Sequence, residues 1–269
     1  MVLDNSPKRC KRMGAMVPSD NKIPYELRDD KFISNWLADR NLGSVEYIST
    51  PTRDDALYNG VDYYARLADE DVLSAAARQL RKQGCDSVVW ACTSASFFKG
   101  VPYAHRQIQL LSDNAAAPAT NTSMAFLAAL DVLGAKRVDV MLPYSPEIAK
   151  LLVSFLSEVG ISVGTVWHMS CPASGEIFDI DCEAELTEFV STRPFSDDPI
   201  LVPCTSISSL TRVETFEKIS GRSVLTANQV TIWHALVLAG MKPNILDCGS
   251  FLRSYAKTGD RSYRLPLER

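Results

Sequence analysis

The sequence predicts an α/β protein made of two similar halves with parallel sheets. Three observations carry this. Short apolar runs alternate with amphipathic helical stretches along the chain, the pattern of βαβ units. Motifs recur in the same order at separations of roughly 105 to 125 residues, the length of a small α/β unit. The apolar runs end in polar, chemistry-bearing residues, as strands do when their carboxyl ends border a ligand site.

The predicted strands are 13–17, 44–48, 87–91, 137–142, 162–168, 200–203 and 223–226. Helical spacing predicts helices near 54–66, 71–83, 122–133, 146–158, 180–192, 206–219 and 228–239. Three pairs of segments reveal the repeat. Cys-Thr-Ser at 92–94 returns at 204–206; "PATNTSMAFLAALDVLGAKRV" (118–138) has its counterpart in "LTANQVTIWHALVLAGMKPNI" (225–245); "VPSDN" (17–21) matches "LPYSPE" (142–147). The expected division is one lobe of 1–120 plus 230–269, with 1–11 as a tail, and a second lobe of 121–229.

Composition narrows the function classes. The chain is 46% apolar and 22% charged, as in ordinary globular proteins. Its net charge of −4 and lack of a basic stripe argue against a nucleic-acid partner. The basic cluster at 8–12 reads as a solvated tail. No apolar run reaches the ~18 residues of a membrane span, and none resembles a secretion signal, so the expectation is a cytoplasmic protein without a membrane partner. The seven cysteines (Cys10, Cys85, Cys92, Cys171, Cys182, Cys204 and Cys248) form no CxxC, and the three histidines form no HxxxH. A disulfide framework and a zinc site both lack support.

The two Cys-Thr-Ser loops carry the chemistry. Each cysteine is placed at a strand's carboxyl end, opening a helix. Free amides and partial positive charge at a helix start favour a thiolate and cradle a carboxylate, with Thr and Ser adding donors. A single such loop reads equally well as a buried cysteine before a helix cap. A matched pair, facing across two halves, places two thiols beside one small substrate. The other cysteines read as structural. His234 in "TIWHAL" reads as a packed helical residue, and His105 and Arg106 as a surface loop. Lys99 closes the helix after Cys92, with a substrate contact as the alternative.

At "GAMVPSDN" (14–21), "VVWACTSAS" (88–96), "PATNTSMA" (118–125), "LPYSPE" (142–147), "LVPCTSIS" (201–208) and "TANQVTIWHAL" (226–236) the chain resembles the aspartate/glutamate racemase superfamily. It is most similar to the branch of maleate cis–trans isomerases and arylmalonate decarboxylases, including the ectoine-utilisation protein A group. The resemblance spans about residues 12–252. It implies two flavodoxin-like domains related by a pseudo-twofold, with the active site in the cleft between them, and no metal, flavin or pyridoxal phosphate. It implies Cys92 as nucleophile and Cys204 as acid/base partner. Asn21, Thr93, Ser94, Tyr144, Thr205 and Ser206 match substrate-binding positions.

The decarboxylases keep only the second cysteine, with Gly at the first; both positions here are Cys. Three departures accompany this. Ala95 stands where isomerases carry Gly after the Ser. "MSCPASGEIFDI" occupies the loop where they carry Asn. Asp20 replaces a small residue. The expected function is cofactor-independent isomerisation or racemisation of a small carboxylate or dicarboxylate. The alternatives are an arylmalonate-type decarboxylase and a non-catalytic protein that binds a small acid. A homodimer or higher homo-oligomer is compatible with the sequence.

Overall fold

The structure is a computed structural model that describes residues 11–19, 29–51, 61–170, 177–192 and 196–258. The first parallel sheet comprises β1 (Arg12–Ser19), β2 (Ser44–Pro51), β3 (Ser87–Trp90) and β4 (Ala119–Asn121), in the order β2-β1-β3-β4. The second comprises β5 (Arg137–Leu142), β6 (Ser162–His168), β7 (Ile200–Val202) and β8 (Val224–Thr226), in the order β6-β5-β7-β8. The two orders are the same, so the sequence repeat is a repeat of topology. In each sheet the direction of strand progression reverses between the first and third strands, and ligands of doubly wound sheets bind at that reversal. Register there pairs Met16 with Trp90 and Val140 with Leu201.

The central strands are apolar for a simple reason. β3, β7 and β8 are buried throughout, because helices cover both faces of a parallel sheet. β6 alternates and is half-exposed along its length, as an edge strand does. The helices between strands are α1 (Asp29–Ala38), α2 (Val61–Leu67), α3 (Glu70–Lys82), α4 (Ser94–Phe97), α5 (Val101–Ala115), α6 (Thr122–Leu133), α7 (Pro146–Ser157), α8 (Cys182–Thr192), α9 (Val213–Ser220), α10 (Ala227–Leu238) and α11 (Gly249–Thr258). In α3, Asp69 caps the amides of Asp71 and Val72, and Leu73, Ala76, Ala77 and Leu80 form the buried face.

Helices α6 and α10 join the halves. α10 follows β8 in the chain yet packs on β3, β4 and α6. Ser87 Oγ donates to Ala235 O at 2.8 Å, and Thr231 Oγ1 donates to Thr122 Oγ1 at 2.9 Å. Trp233 is 1% exposed and meets the rings of Phe251 and Tyr255 edge-on. It is therefore a core residue.

Several expectations change. Residues 101–115 form α5 rather than a loop, so His105 is half-buried on a helix. Pro102 stands in the first turn of this helix, where proline is tolerated. Gly100, at φ +80°, starts this helix; a Cβ there would lie 2.6 Å from Glu158 Oε1, whose other oxygen accepts from Val101 N at 2.8 Å. The helix expected over 206–219 begins only at Val213. Of the helix expected over 54–66, the described part lies in α2, and 52–60 is outside the described residues. Among the described residues no helix is long and apolar enough to cross a membrane.

His234 is fully buried, with Nδ1 2.9 Å from Thr120 Oγ1. Burial pulls its pKa from 6.5 down to about 4. The unfolded chain therefore takes up a proton between these values while the fold does not. Stability is complete above pH 6.5 and is lost as pH falls toward 4, by up to about 3 kcal/mol. Urea unfolding of wild type and His234→Leu at pH 7 and pH 4.5 checks this. The wild type is expected to lose stability between the two, and the variant to lose less.

Candidate active site

Cys92 and Cys204 sit two residues past the ends of β3 and β7, beside the strand-order reversals of the two sheets. Each is 5% exposed. Their surroundings match position by position. Cys92 lies against the Ser94 hydroxyl and the Ala95 amide; Cys204 lies against the hydroxyl and amide of Ser206 and the Ile207 amide. Each sulfur thus meets a serine two residues on and an amide three residues on. Charge on Cys204 would raise the pKa of Cys92, so the two sulfurs lie near one another.

Two tyrosines complete the ring of donors. Tyr144 follows β5, the neighbour of β7. Its hydroxyl donates to Pro203 O at 2.5 Å and also reaches Cys204. Its ring meets Phe97 edge-on at 6.0 Å. Tyr64, on α2, has its hydroxyl at the Ser94 side chain and lies close enough to both cysteines to feel their charge. Burial raises the pKa of both tyrosines, so each is a neutral donor. Tyr64 carries no motif of its own in the sequence. It sits in "VDYYARL" on an amphipathic helix rather than in a strand-end loop, and no local signal separates it from a core tyrosine.

The thiols differ from the sequence expectation. Burial pushes Cys92 up to about 12, against the lowering effects of the Ala95 amide and Ser94 hydroxyl. Burial also raises Cys204, although Ser206, Tyr144 and Ile207 oppose it. Helix-start geometry exists at α4, but desolvation outweighs it. Both thiols are neutral at rest. Cys182 is likewise pushed up to about 12 by burial. Such thiols stay protonated in the fold while the unfolded chain ionises, so stability falls as pH rises above about 9, by about 1.4 kcal/mol per pH unit for each thiol. Denaturant unfolding at pH 8 and pH 10.5 is expected to show this loss, and Cys182→Ala to reduce its pH slope.

The Cys92 loop is held from below. Ser96 Oγ donates to Cys92 O and to Thr93 O, both at 2.8 Å, and Ser123 Oγ donates to Thr93 O at 3.0 Å. Gln107 Nε2 donates to Ala95 O at 2.9 Å, and Asn121 Nδ2 donates to Gln107 Oε1 at 3.1 Å. Thr93 is 2% exposed, and its Oγ1 has no hydrogen-bond partner among the described residues. Thr205 and Ser206 are half-buried beside Cys204. The structure thus brings Cys92, Thr93, Ser94, Tyr144, Cys204, Thr205 and Ser206 together at the strand ends. Asn21, Asp20 and Cys171 lie outside the described residues. Lys99 is exposed, with its ammonium over the rings of Phe98 and Tyr103. Among the described residues no group of three or more metal-ligating side chains occurs.

The family model for arylmalonate decarboxylase matches residues 60–252. The chain belongs to the arylmalonate decarboxylase family. Within this family's wider circle, the arylmalonate decarboxylase of Bordetella bronchiseptica is 27% identical over 229 residues, covering 84% of this chain and 86% of that protein. A maleate isomerase of Pseudomonas putida is 28% identical over 184 residues, covering 65% of this chain and 73% of that protein. The fold is shared with a Nocardia farcinica maleate cis–trans isomerase, solved as a Cys-to-Ser mutant with a covalently bound succinylcysteine intermediate. That likeness has a TM-score of 0.70 at 20% identity over 90% of this chain and 98% of that one. The chain is thus similar to both decarboxylases and isomerases.

Proposed function

We propose that the protein is a cofactor-independent isomerase of a small carboxylic acid that works through two cysteines, with a cis-enedioate of the maleate type as substrate. The observation that carries this reading is the matched pair of buried thiols, each with its own serine and amide donors, near enough to feel each other's charge. A decarboxylase needs one proton donor. Two equivalent donor sets suit a reaction in which one sulfur bonds carbon and the other handles a proton.

Cys92 first gives its proton to solvent, and its sulfur adds to one alkene carbon. The electron pair of the double bond moves to the neighbouring carbon and into its carboxylate. Cys204 delivers a proton to that carbon. The remaining single bond rotates. Cys204, now a thiolate, removes a proton from the same carbon, the double bond reforms as trans, and Cys92 leaves as thiolate and takes a proton back from solvent. No atom is gained or lost overall. Thr93, Ser94 and Tyr64 are placed to hold the carboxylate on which charge develops, and Tyr144 and Ser206 to steady Cys204 when it is ionised. Racemisation uses the same pair differently: one thiolate removes an α-proton and the opposite thiol returns one.

Proton NMR in heavy water tests the reading, with maleate, aspartate, glutamate, hydantoins, an arylmalonate and ectoine-pathway acids offered to wild type, Cys92→Ala and Cys204→Ala. Turnover of maleate that needs both cysteines is the expected result. Deuterium uptake at an α-carbon, needing both, redirects the reading to a racemase. Loss of CO2 from the arylmalonate, needing Cys204 alone, replaces it with decarboxylation. Silence across the panel leaves a protein that only binds small acids.

A further inference from the structure

The two cysteine loops match at the sulfur but not beneath it. After Cys92 the chain makes the single turn of α4, supported by neutral groups: Ser96, Ser123 and Gln107. After Cys204 no helix forms until α9, and residues 205–212 run as turns. A buried carboxylate holds these turns. Asp29, the first residue of α1, is 2% exposed. One oxygen accepts from Ser208 Oγ at 2.7 Å. The other accepts from Ser209 N at 2.8 Å, Leu210 N at 2.8 Å, Ser209 Oγ at 3.5 Å and Asn228 Nδ2 at 2.7 Å. Asn228 Nδ2 also reaches Thr205 O and Ile207 O, both at 3.2 Å. Asn121, its counterpart in the repeat, instead caps α6 and donates to Ala104 O and Gln107.

We propose that Asp29 is the positioning residue for Cys204: a carboxylate carried by the first half collects the free amides of the second half's cysteine loop and so keeps the Ser206 and Ile207 donors aimed at the sulfur. Charge-assisted hydrogen bonds are about twice as strong as neutral ones, and a buried carboxylate that accepts this many donors resists displacement. Asp29 stands in for the helix that the second loop lacks. It also ties α1, which packs on β2, to the loop after β7, so the two halves are locked at the catalytic loop itself. Other charged and titratable groups around this loop are Arg212, paired with Glu183; Arg40, paired with Asp247; Glu214, paired with Arg253; and the thiols Cys182 and Cys248, the latter donating to Leu210 O at 3.3 Å.

The claim about the thiol stands on the hydrogen bonds by which Asp29 and Asn228 hold this loop; only its effect on turnover rests on the role proposed for Cys204. The experiment separates these. Full-length wild type, Asp29→Asn and Asp29→Leu are alkylated with iodoacetamide across pH 7–11, and modification of Cys204 and Cys92 is followed by peptide mass spectrometry, with thermal melts to confirm folding. In Asp29→Leu the alkylation midpoint of Cys204 is expected to rise by about one pH unit, a roughly 10-fold loss of thiolate at a fixed pH below the midpoint, while Cys92, whose own midpoint lies above this range, keeps its wild-type rate at each pH. Asp29→Asn, whose amide oxygen can keep some of the donors, is expected to show a smaller rise. Opening of the loop on its own would relieve the burial of Cys204 and lower its midpoint, so a rise reports lost donors. Should Asp29→Leu not fold, the same Cys204-only rise in Asp29→Asn decides. An unchanged Cys204 midpoint overturns the proposal. So does an equal change at both cysteines, which marks general loosening, or a fall at Cys204, which marks relieved burial or charge repulsion rather than lost donors. On a substrate found by NMR, kcat is expected to drop about 10-fold or more with KM within about 2-fold. A thiol shift in a protein that turns nothing over would uphold the positioning role and sink the isomerase.

Discussion

Cys204→Ala is expected to lower kcat on the substrate identified by NMR by about 10³-fold or more, with KM within a few-fold. Proton transfer by a positioned group contributes about 10²- to 10⁴-fold, and this sulfur has no substitute nearby. Tyr144 touches it, but burial holds that phenol protonated well above the working range. Cys182 feels its charge, yet is itself buried and raised to about 12. Cys92→Ala is expected to cost at least as much, because addition to carbon has no bypass. The double variant should be little worse than the worse single, since groups that act in one sequence of steps are not additive. Steady-state kinetics on the three variants checks this. Losses that multiply in the double variant would mean that the sulfurs act independently, and the two-thiol cycle would fall. Tyr144→Phe removes one donor from Cys204 and is expected to cost far less than either cysteine.

The largest stability effect is expected far from the cleft. Arg222 and Asp139 form an ion pair at 2.6 Å with both side chains 5% exposed. The guanidinium also donates through Nε to Asp198 O at 2.8 Å, and Asp139 accepts from Thr165 N at 2.7 Å. The pair fastens β5, the residue leading into β8, and the turn before β7 to one another. Arg222→Ala strands a buried carboxylate with one amide for company. Breaking such a pair from one side costs about 3–5 kcal/mol, and at this chain length that corresponds to a melting temperature lower by about 10 °C. Asp139→Leu combined with Arg222→Met removes the uncompensated charge and is expected to lose much less than the sum of the single changes. Urea unfolding of the three variants decides. A loss below about 1 kcal/mol in Arg222→Ala would show that water reaches Asp139 and that the pair is not a buried one.

Much of the fold was readable because buried parallel strands announce themselves. The stretches 87–90, 137–142 and 200–202 are apolar runs with polar residues straight after them, and that transition also marked Cys92, Cys204 and Tyr144. α5 escaped because a charged Arg106 beside His105 reads as surface, whereas an exposed helix face carries such residues as readily as a loop does. β4, of three residues, escaped because so short a strand is defined by its neighbours. The helix expected after Cys204 failed for a tertiary reason. Its amides found a better acceptor in Asp29, 180 residues away, and a carboxylate in reach outcompetes the weak start of a short helix.

The sequence by itself determined the two-fold repeat, the parallel sheets, and the placement of a cysteine at the carboxyl end of a matching strand in each half. These follow from local hydrophobic pattern and chain direction. Only the tertiary structure decided that both thiols rest protonated, that Tyr64 joins them, and that Asp29 holds one loop while uncharged side chains hold the other. Desolvation and converging hydrogen bonds depend on which distant segments pack together, and no stretch of sequence states that on its own.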